Sequence, residues 1–214
     1  MPPTPKNRTA ASSARQAAAK PATQRGPKGH PAHEVRIIGG QWRRTRLKVI
    51  DKPGLRPTPD RVRETLFNWL GQDLSGWRCV DAFAGTGALG LEAASRGAAH
   101  VLMLEQDPLL VRALQDHAVR LQASMVQVQR SDAITALQRL PAGSVDLVFI
   151  DPPFDGPWFE PALQAAVRAV PVGGWVYLEA PQVWTPEALQ PLGLQCERHL
   201  KAGAVHAHLL QRTA

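Results

Sequence analysis

Short apolar runs alternate with segments of helical periodicity along most of the chain. The apolar runs predict strands near residues 78–83, 100–105, 126–130, 145–150 and 174–179. The periodic segments predict helices near residues 88–96, 108–121, 132–139, 158–169 and 185–190. Alternation of this kind indicates an α/β fold, in which helices cover both faces of a mainly parallel sheet.

The C-terminal segment departs from this alternation. Residues 196–200 and 205–211 both have the character of strands, and only residues 201–204 separate them. We therefore expect an antiparallel hairpin at the edge of the sheet, which brings the predicted sheet to seven strands.

A second, smaller β-hairpin is predicted near the N-terminus, with Gly39 and Gly40 at its turn. In its second arm Arg44, Arg46 and Lys48 alternate with apolar residues, so that one face of the strand is cationic. A strand with a cationic face suits contact with a phosphate backbone.

A helix is predicted to follow this hairpin. Thr58 is expected to cap its N-terminus, with Pro59 at the first helical position. The positions expected to face the core repeat at helical spacing and are Val62, Leu66, Trp69 and Leu70. Arg61 and Arg63 lie off this apolar stripe.

Charge divides the chain unevenly. Residues 1–63 carry 15 Lys and Arg and three acidic residues, a net charge of +12, whereas residues 64–214 carry a net charge of −5. A basic arm on an acidic body is typical of proteins that bind polyanions. We interpret residues 1–34 as a disordered basic tail, residues 35–56 as a nucleic-acid-contacting hairpin and residues 57–214 as the catalytic domain. A solvated tail without a binding role is an equal alternative for residues 1–34.

Other sequence features narrow the class of protein. No apolar run approaches the roughly 20 residues of a membrane-spanning helix, and no signal-peptide pattern is present. Cys79 and Cys196 lie far apart and predict free thiols rather than a metal site. We expect a cytoplasmic protein without membrane attachment, and a monomer by default.

A glycine-rich loop follows the first strand of the predicted sheet. Gly85, Gly87 and Gly90 match the pattern GxGxxG, which also occurs in dinucleotide-binding folds. Asp81 distinguishes a dinucleotide from S-adenosylmethionine as the ligand of this loop. Its carboxylate would repel the pyrophosphate of a dinucleotide and attract the ammonium group of a methionyl moiety. Glu105, at the end of the next strand, could accept hydrogen bonds from a ribose of either cofactor.

Asp132 ends the third strand and could accept a hydrogen bond from an adenine amino group. A helix cap or a surface ion pair is the alternative for each of these acids. We predict S-adenosylmethionine as the cofactor. The predicted cofactor-binding residues are Asp81, Phe83, Gly85, Thr86, Gly87, Leu89, Glu105, Asp132 and Ala133.

The most specific motif is Asp151-Pro152-Pro153-Phe154, directly after the apolar strand 145–150. Two prolines after an acid make a stiff, extended turn with few free N–H donors. The Asp151 carboxyl and the Pro152 carbonyl are then both acceptors, and Phe154 offers a flat surface. A rigid turn without chemistry is the alternative.

This set of groups suits an exocyclic amino group of a nucleic-acid base, whose lone pair is delocalised into the ring. Two acceptors that hold its hydrogens favour a pyramidal nitrogen, which can attack a sulfonium methyl group. The aromatic ring would stack on the base. The predicted catalytic residues are Asp151, Pro152, Pro153 and Phe154.

The motifs DAFAGTG (81–87), LE (104–105) and DPPF (151–154) resemble those of amino-directed methyltransferases. RIIGG (36–40), RPT (56–58) and DRVRETLFNWL (60–70) are similar to the RsmD-like family, over about residues 35–212. Residues 197–203 match that family only loosely, and we place no site there.

The resemblance implies a class I S-adenosylmethionine-dependent methyltransferase fold, which is Rossmann-like, with a small N-terminal β-hairpin that touches RNA. It also implies methylation of the N2 amino group of a guanine in bacterial 16S rRNA, guanine 966, on an assembling 30S subunit. The predicted RNA-binding residues are Arg36, Arg43, Arg44, Arg46, Lys48, Arg56, Arg61 and Arg63.

Three other functions remain open. A DNA methyltransferase acting on adenine N6 or cytosine N4 would share the DPPF chemistry, although a second domain for reading bases in the major groove is not recognisable. A nicotinamide-dependent oxidoreductase would explain GxGxxG but neither Asp81 nor Asp151. A non-catalytic RNA-binding module would not need Asp151.

Overall fold

The computed structural model describes residues 1, 34–50, 52, 55 and 58–214 of the chain. All elements named below belong to the compact unit Pro31–Ala214. The strands are β1 (Glu34–Arg36), β2 (Arg46–Lys48), β3 (Arg78–Asp81), β4 (His100–Glu105), β5 (Val126–Arg130), β6 (Leu147–Ile150), β7 (Trp175–Ala180), β8 (Leu194–Ala202) and β9 (Val205–Arg212). The helices are α1 (Asp60–Trp69), α2 (Ala88–Ser95), α3 (Pro108–Arg120), α4 (Ala133–Arg139), α5 (Phe159–Ala169) and α6 (Pro186–Leu189).

The main sheet has seven strands in the order β5-β4-β3-β6-β7-β9-β8. The five strands β3 to β7 are parallel to one another, and β9 runs antiparallel to both β7 and β8. The predicted α/β architecture and the antiparallel C-terminal hairpin are therefore confirmed.

Each face of the sheet carries its own hydrophobic core, because side chains of successive strand residues point to opposite faces. In β6, Leu147 and Phe149 belong to the core that includes α1 and α2. Val148 and Ile150 belong to the core that includes α4 and α5. A residue that follows Ile150 therefore continues on the α1 side of the sheet.

The N-terminal hairpin is confirmed as a two-stranded antiparallel unit, with Val35 paired to Leu47. The second strand is shorter than predicted, because it begins at Arg46, and Arg44 lies in the turn at φ +70°. Both side chains are buried in the core on the α1 side. Gly40 lies in the left-handed region at φ +71°, and a Cβ there would lie 1.8 Å from the backbone oxygen of Ser95. A glycine is thus required at Gly40 for the turn to pack against the end of α2.

A buried carboxylate attaches this hairpin to α2. Glu92 is fully buried and accepts hydrogen bonds from the backbone N–H groups of Ile38 and Gly39, each at 2.8 Å. It also accepts from Arg96 Nε at 2.8 Å and from Arg63 Nη1 at 3.3 Å. We call Glu92, Arg63 and Arg96 the Glu92 cluster. Its two guanidinium groups share one central carboxylate, and Arg63 has a second partner in Asp60.

The predicted start of α1 is wrong. The helix begins at Asp60, with Pro59 in the N-cap position and no side-chain cap. Thr58 is buried and lies outside the helix, where its backbone carbonyl accepts a hydrogen bond from Arg63 Nε at 3.1 Å. The Thr58 side chain is therefore free to face the sheet rather than the helix N-terminus.

No helix among the residues that the structure describes combines the length and the apolar character needed to cross a bilayer.

Candidate functional site

Acidic side chains lie at or near the carboxyl ends of five neighbouring parallel strands. They are Glu105 on β4, Asp81 on β3, Asp151 after β6, Glu179 on β7 and Asp132 after β5. The chain order reverses between β3 and β6, and open α/β sheets bind ligands at such a switch point, beyond the carboxyl ends of the strands. Asp81 and Asp151 lie on the two sides of this point.

The glycine-rich loop is attached to two of these acids. Asp81 Oδ2 accepts a hydrogen bond from Gly90 N at 2.8 Å, and Glu105 Oε2 accepts one from Gly85 N at 3.0 Å. Gly85 and Gly87 have φ values of +49° and +80°, in the region that favours glycine. The loop is thereby fixed as a tight turn that leads into α2.

Asp81 is almost completely buried. Burial raises the pKa of its carboxyl to about 7, against the effect of the Gly90 N–H, and the charge of Glu105 adds to the increase. A cationic ligand would favour the ionised form of Asp81. The site is therefore suited to an ammonium group and unsuited to a phosphate.

Glu105 and Asp132, the other acids of the predicted cofactor site besides Asp81, each accept a hydrogen bond from the backbone N–H of a residue that follows them. Glu105 Oε1 accepts a hydrogen bond from Asp107 N at 2.8 Å. Asp132 caps α4 by accepting from Thr135 N at 2.7 Å, and Gln106 Nε2 donates to its other oxygen. These hydrogen bonds lower the pKa of Asp132. Asp132 therefore forms a helix cap, which was the alternative to a role in cofactor binding. Its carboxylate can still accept a further hydrogen bond.

The other predicted cofactor residues differ in their environment. Leu89 and Ala133 are buried, one in each core. Thr86 is buried in the loop, and Phe83 is half-buried against the core that includes α4 and α5. The side chains of Leu89 and Ala133 face the protein interior, so that only their backbone could line a ligand site.

The motif after β6 separates into a buried and an exposed half. Asp151 is half-buried and Pro152 is buried, whereas Pro153 and Phe154 are exposed. The Phe154 ring lies 6.2 Å from that of Phe159, centroid to centroid. An exposed aromatic ring next to a shielded carboxyl is the arrangement that stacking on a planar base requires.

Sequence reasoning missed three residues around Asp151. Glu179 is 3% exposed and accepts a hydrogen bond from the Tyr177 hydroxyl at 2.8 Å. The Thr58 hydroxyl lowers the pKa of both Asp151 and Glu179. Burial is the largest effect and raises the pKa of both carboxyls, and the charge of Glu179 raises that of Asp151 further. Glu179 carries the same strand-end signal as Glu105 and could have been found by it.

The predicted RNA-binding residues do not all lie on the surface. Those exposed are Arg36, Arg43, Arg44, Arg46, Lys48 and Arg61. Arg56 lies outside the described residues. Arg63 is 1% exposed and is held by Asp60, Glu92 and backbone carbonyls, so its prediction as an RNA contact is wrong.

Within the described part of the chain, no group of three or more His, Cys, Asp or Glu side chains could hold a metal ion.

Comparison with known proteins places this site in a family. The family model described as conserved hypothetical protein 95 matches residues 35–211. The chain is 40% identical to ribosomal RNA small subunit methyltransferase D of Escherichia coli K12 over 187 residues, which cover 85% of this chain and 91% of that protein. The chain belongs to the RsmD-like family.

Other members of the family agree in sequence and structure. The enzyme of the same name from Haemophilus influenzae is 44% identical over 126 residues, or 56% of this chain and 64% of that protein. A solved structure named as a methyltransferase from Escherichia coli has a TM-score of 0.74 at 35% identity, over 85% of this chain and 99% of that one. A methylase structure from Haemophilus influenzae has a TM-score of 0.70 at 31% identity, over 85% and 100%.

Proposed function

We propose that this protein is an RNA methyltransferase that transfers a methyl group from S-adenosylmethionine to the N2 amino group of a guanine in 16S rRNA. Relatives named ribosomal RNA small subunit methyltransferase D support the RNA substrate. Guanine 966, an assembling 30S subunit as substrate and action as a cytoplasmic monomer are the finer parts of the same proposal. The observation that carries the chemistry is the position of Asp151 beside Asp81, across the switch point of the sheet.

The donor and acceptor groups of the site fit S-adenosylmethionine. Its ammonium group suits the buried Asp81, its ribose hydroxyls suit Glu105, and its adenine amino group suits the remaining capacity of Asp132. The glycine turn at Gly85 and Gly87 permits close approach of the backbone. When bound, S-adenosylmethionine supplies an electrophilic methyl group on a sulfonium.

In the proposed reaction the side chains of the DPPF motif orient the base and receive a proton. Phe154 stacks on the guanine, while the Asp151 carboxylate and the Pro152 carbonyl accept hydrogen bonds from the two hydrogens of the N2 amino group. The nitrogen held in this way would accept the methyl group that S-adenosylmethionine supplies when bound. The extra proton on nitrogen then leaves to the Asp151 carboxylate.

The hairpin is the proposed docking surface for RNA. Arg43, Arg44 and Arg46 are exposed on it, and Arg46 is paired with Glu34 only at the surface. Charge removal at these three arginines should weaken RNA binding and reduce its dependence on salt, since fewer counterions are released. An unchanged affinity and salt slope would exclude the hairpin as the docking surface.

The division into tail, hairpin (35–56) and catalytic domain (57–214) is part of the proposed function.

Methyl transfer from labelled S-adenosylmethionine tests the function. The substrates are 30S particles from cells that lack the endogenous enzyme, free 16S rRNA and duplex DNA, and the modified nucleoside is identified by mass spectrometry. We expect N2-methylguanosine in RNA. Labelled DNA with unlabelled RNA would instead establish the DNA methyltransferase acting on adenine N6 or cytosine N4.

The variant Asp151→Ala tests the chemistry separately from binding. It should abolish turnover and leave RNA affinity largely unchanged, because Asp151 is half-buried and the exposed arginines of the hairpin are the proposed docking surface. Glu187→Gln, at an exposed carboxyl on α6, is the matched control and should retain parental activity. Full activity of Asp151→Ala would refute the assigned role.

A further inference from the structure

Three histidines lie together on one face of the C-terminal hairpin. His199 of β8 pairs with His208 of β9, and His206 lies two residues before His208, so all three side chains are on the same side of the sheet. His199 is exposed, His206 is half-buried and His208 is buried. No site was predicted for residues 197–203, and only the pairing of the two strands brings these rings together.

The rings of His199 and His206 form one flat surface. His199 Nε2 lies 2.9 Å from His206 Nδ1, and one of these nitrogens donates a hydrogen bond to the other. The ring planes differ by 12°, and the ring centroids are 5.1 Å apart. That separation is nearly the largest that a 2.9 Å contact between two ring nitrogens permits, so the rings lie edge to edge in nearly one plane. We call this pair the histidine platform.

His208 and Lys201 border the histidine platform. The His208 ring centroid lies 4.8 Å from that of His199, and His208 Nε2 accepts a hydrogen bond from Trp184 N at 3.2 Å. Lys201 is exposed and pairs with His206 across the strands, on the same face. Partial burial and the charges of His199 and Lys201 lower the pKa of His206, which favours its neutral ring. The His206 ring is therefore a neutral aromatic surface beside a cation.

The histidine platform lies at the same edge of the sheet as the DPPF motif. His206 pairs with Ala180, the last residue of β7, at the carboxyl end of the parallel strands. In the sheet β9 is two strands away from β6, a distance of about 10 Å. Consecutive bases of a stacked strand are roughly 3.4 Å apart, so a few nucleotides of RNA span this distance.

Phe154 and the histidine platform also lie on the same side of the sheet. The Phe154 ring is 6.2 Å from the ring of Phe159, which packs against the core that includes α4 and α5. Leu178 belongs to the same core, and His208 is its partner across β7 and β9. A base on Phe154 and a base on the platform are therefore within reach of one continuous strand.

We propose that the histidine platform binds an unpaired nucleotide that flanks the target guanine, an inference that rests on the proposed methylation of RNA. The base of this nucleotide stacks on the two imidazoles, and Lys201 contacts an adjacent phosphate. Unpaired RNA bases commonly stack on aromatic side chains, histidine among them. Two coplanar rings offer a wider surface than one, which suits the fused rings of a purine.

The test measures the affinity of the full chain for a labelled oligoadenylate of about ten nucleotides, by fluorescence anisotropy. The buffer is at pH 8, above the ordinary histidine pKa of about 6.5, and contains EDTA so that no metal ion contributes. His199→Ala should weaken binding about tenfold, as expected for the loss of one base stack. The salt slope should stay parental, because no charge is removed. His199→Phe keeps a flat ring and should restore most of the affinity.

His100→Ala is the matched control. His100 is exposed like His199 but begins β4, at the opposite edge of the sheet, so its replacement should leave the affinity parental. Unchanged binding by His199→Ala would overturn the platform. A weaker salt slope without rescue by phenylalanine would overturn it equally, because the histidines would then act as cations on phosphates.

Methyl transfer to 30S particles separates the platform from the function on which it rests. His199→Ala should raise the KM for the particles about tenfold, in line with its loss of affinity, and His199→Phe should restore it. If the parental protein labels no RNA, the proposed function fails and the platform's role in it fails as well. If the parent labels RNA and His199→Ala matches it in KM and in oligoadenylate affinity, only the platform fails.

Discussion

Replacing Glu92 by glutamine removes the central charge of the Glu92 cluster and leaves its shape. Arg63 and Arg96 would remain buried, at 1% and 8% exposure, facing a neutral amide. Removing one partner of a buried ion pair costs about 3–5 kcal/mol, because the other charge is left uncompensated. Arg63 retains Asp60 at 2.6 Å, and the Arg96 guanidinium lies 4.7 Å above the Phe67 ring, so we expect the lower end, about 3 kcal/mol.

That loss is a large part of the roughly 5–15 kcal/mol by which a domain is stable, and corresponds to a decrease in Tm of about 6–12 °C. Urea unfolding followed by tryptophan fluorescence gives the free energy of unfolding of the full chain. Glu187→Gln should stay within about 0.5 kcal/mol of the parent. Arg63→Met should cost less in the Glu92→Gln background than in the parent. A loss below 1 kcal/mol for Glu92→Gln would show that the cluster does not hold the hairpin.

Three further predictions concern single residues. In the proposed function S-adenosylmethionine binds the ionised form of Asp81, whose pKa burial raises to about 7, so the affinity measured by calorimetry should fall about tenfold from pH 6.5 to 5.5. Asp81→Asn should bind weakly with no such dependence, and a flat parental profile would contradict the assignment. Burial lowers the pKa of His208 from 6.5 to about 4, so the folded state binds a proton less readily than the unfolded state. The contribution of the neutral His208 to stability is therefore present above pH 6.5 and is lost as the pH falls towards 4. From pH 7 to 5 the parent should therefore lose about 2 kcal/mol more than His208→Gln, and equal losses by urea unfolding would refute this. Gly40→Ala should lower the Tm more than Gly203→Ala. Both glycines have positive φ, but only at Gly40 would an added Cβ clash with backbone atoms, those of Ser95. Equal decreases in Tm would mean that the turn at Gly40 can shift.

The spacing of apolar residues and the turn residues between the apolar segments were sufficient to predict the sheet. The strands β3, β4, β6 and β7 follow from apolar runs that a parallel sheet buries on both faces. The helices follow from segments of helical periodicity. The sequence also predicted the acids at the ends of β3, β4 and β5, since each stands where an apolar run stops. Glu179 is the last residue of the predicted strand 174–179 and could have been predicted by the same signal.

The errors arise where a distant partner overrides a local preference. Arg63 looks like a surface cation, and only the fold brings Glu92 close enough to hold it inside the protein. Thr58 has the sequence position of a helix cap, but it lies outside the helix, and its hydroxyl lowers the pKa of Asp151 and Glu179. Neither environment is visible in a single sequence, because the partners are distant along the chain, by 29 residues for Arg63 and Glu92.

Arg63 links the two regions to which the proposed function assigns separate tasks. Its Nη2 donates to the Arg36 carbonyl in β1 at 2.9 Å, and its Nε donates to the Thr58 carbonyl beside Asp151. The proposed RNA-docking hairpin and the segment before α1 are therefore held by two nitrogens of one buried guanidinium, whose planar geometry fixes their distance. A hairpin that could move relative to Asp151 would bind RNA without bringing the target base to the Asp151 carboxyl. The buried Arg63 thus joins the hairpin to the segment before α1, and Glu92 and Asp60 offset the cost of burying its charge.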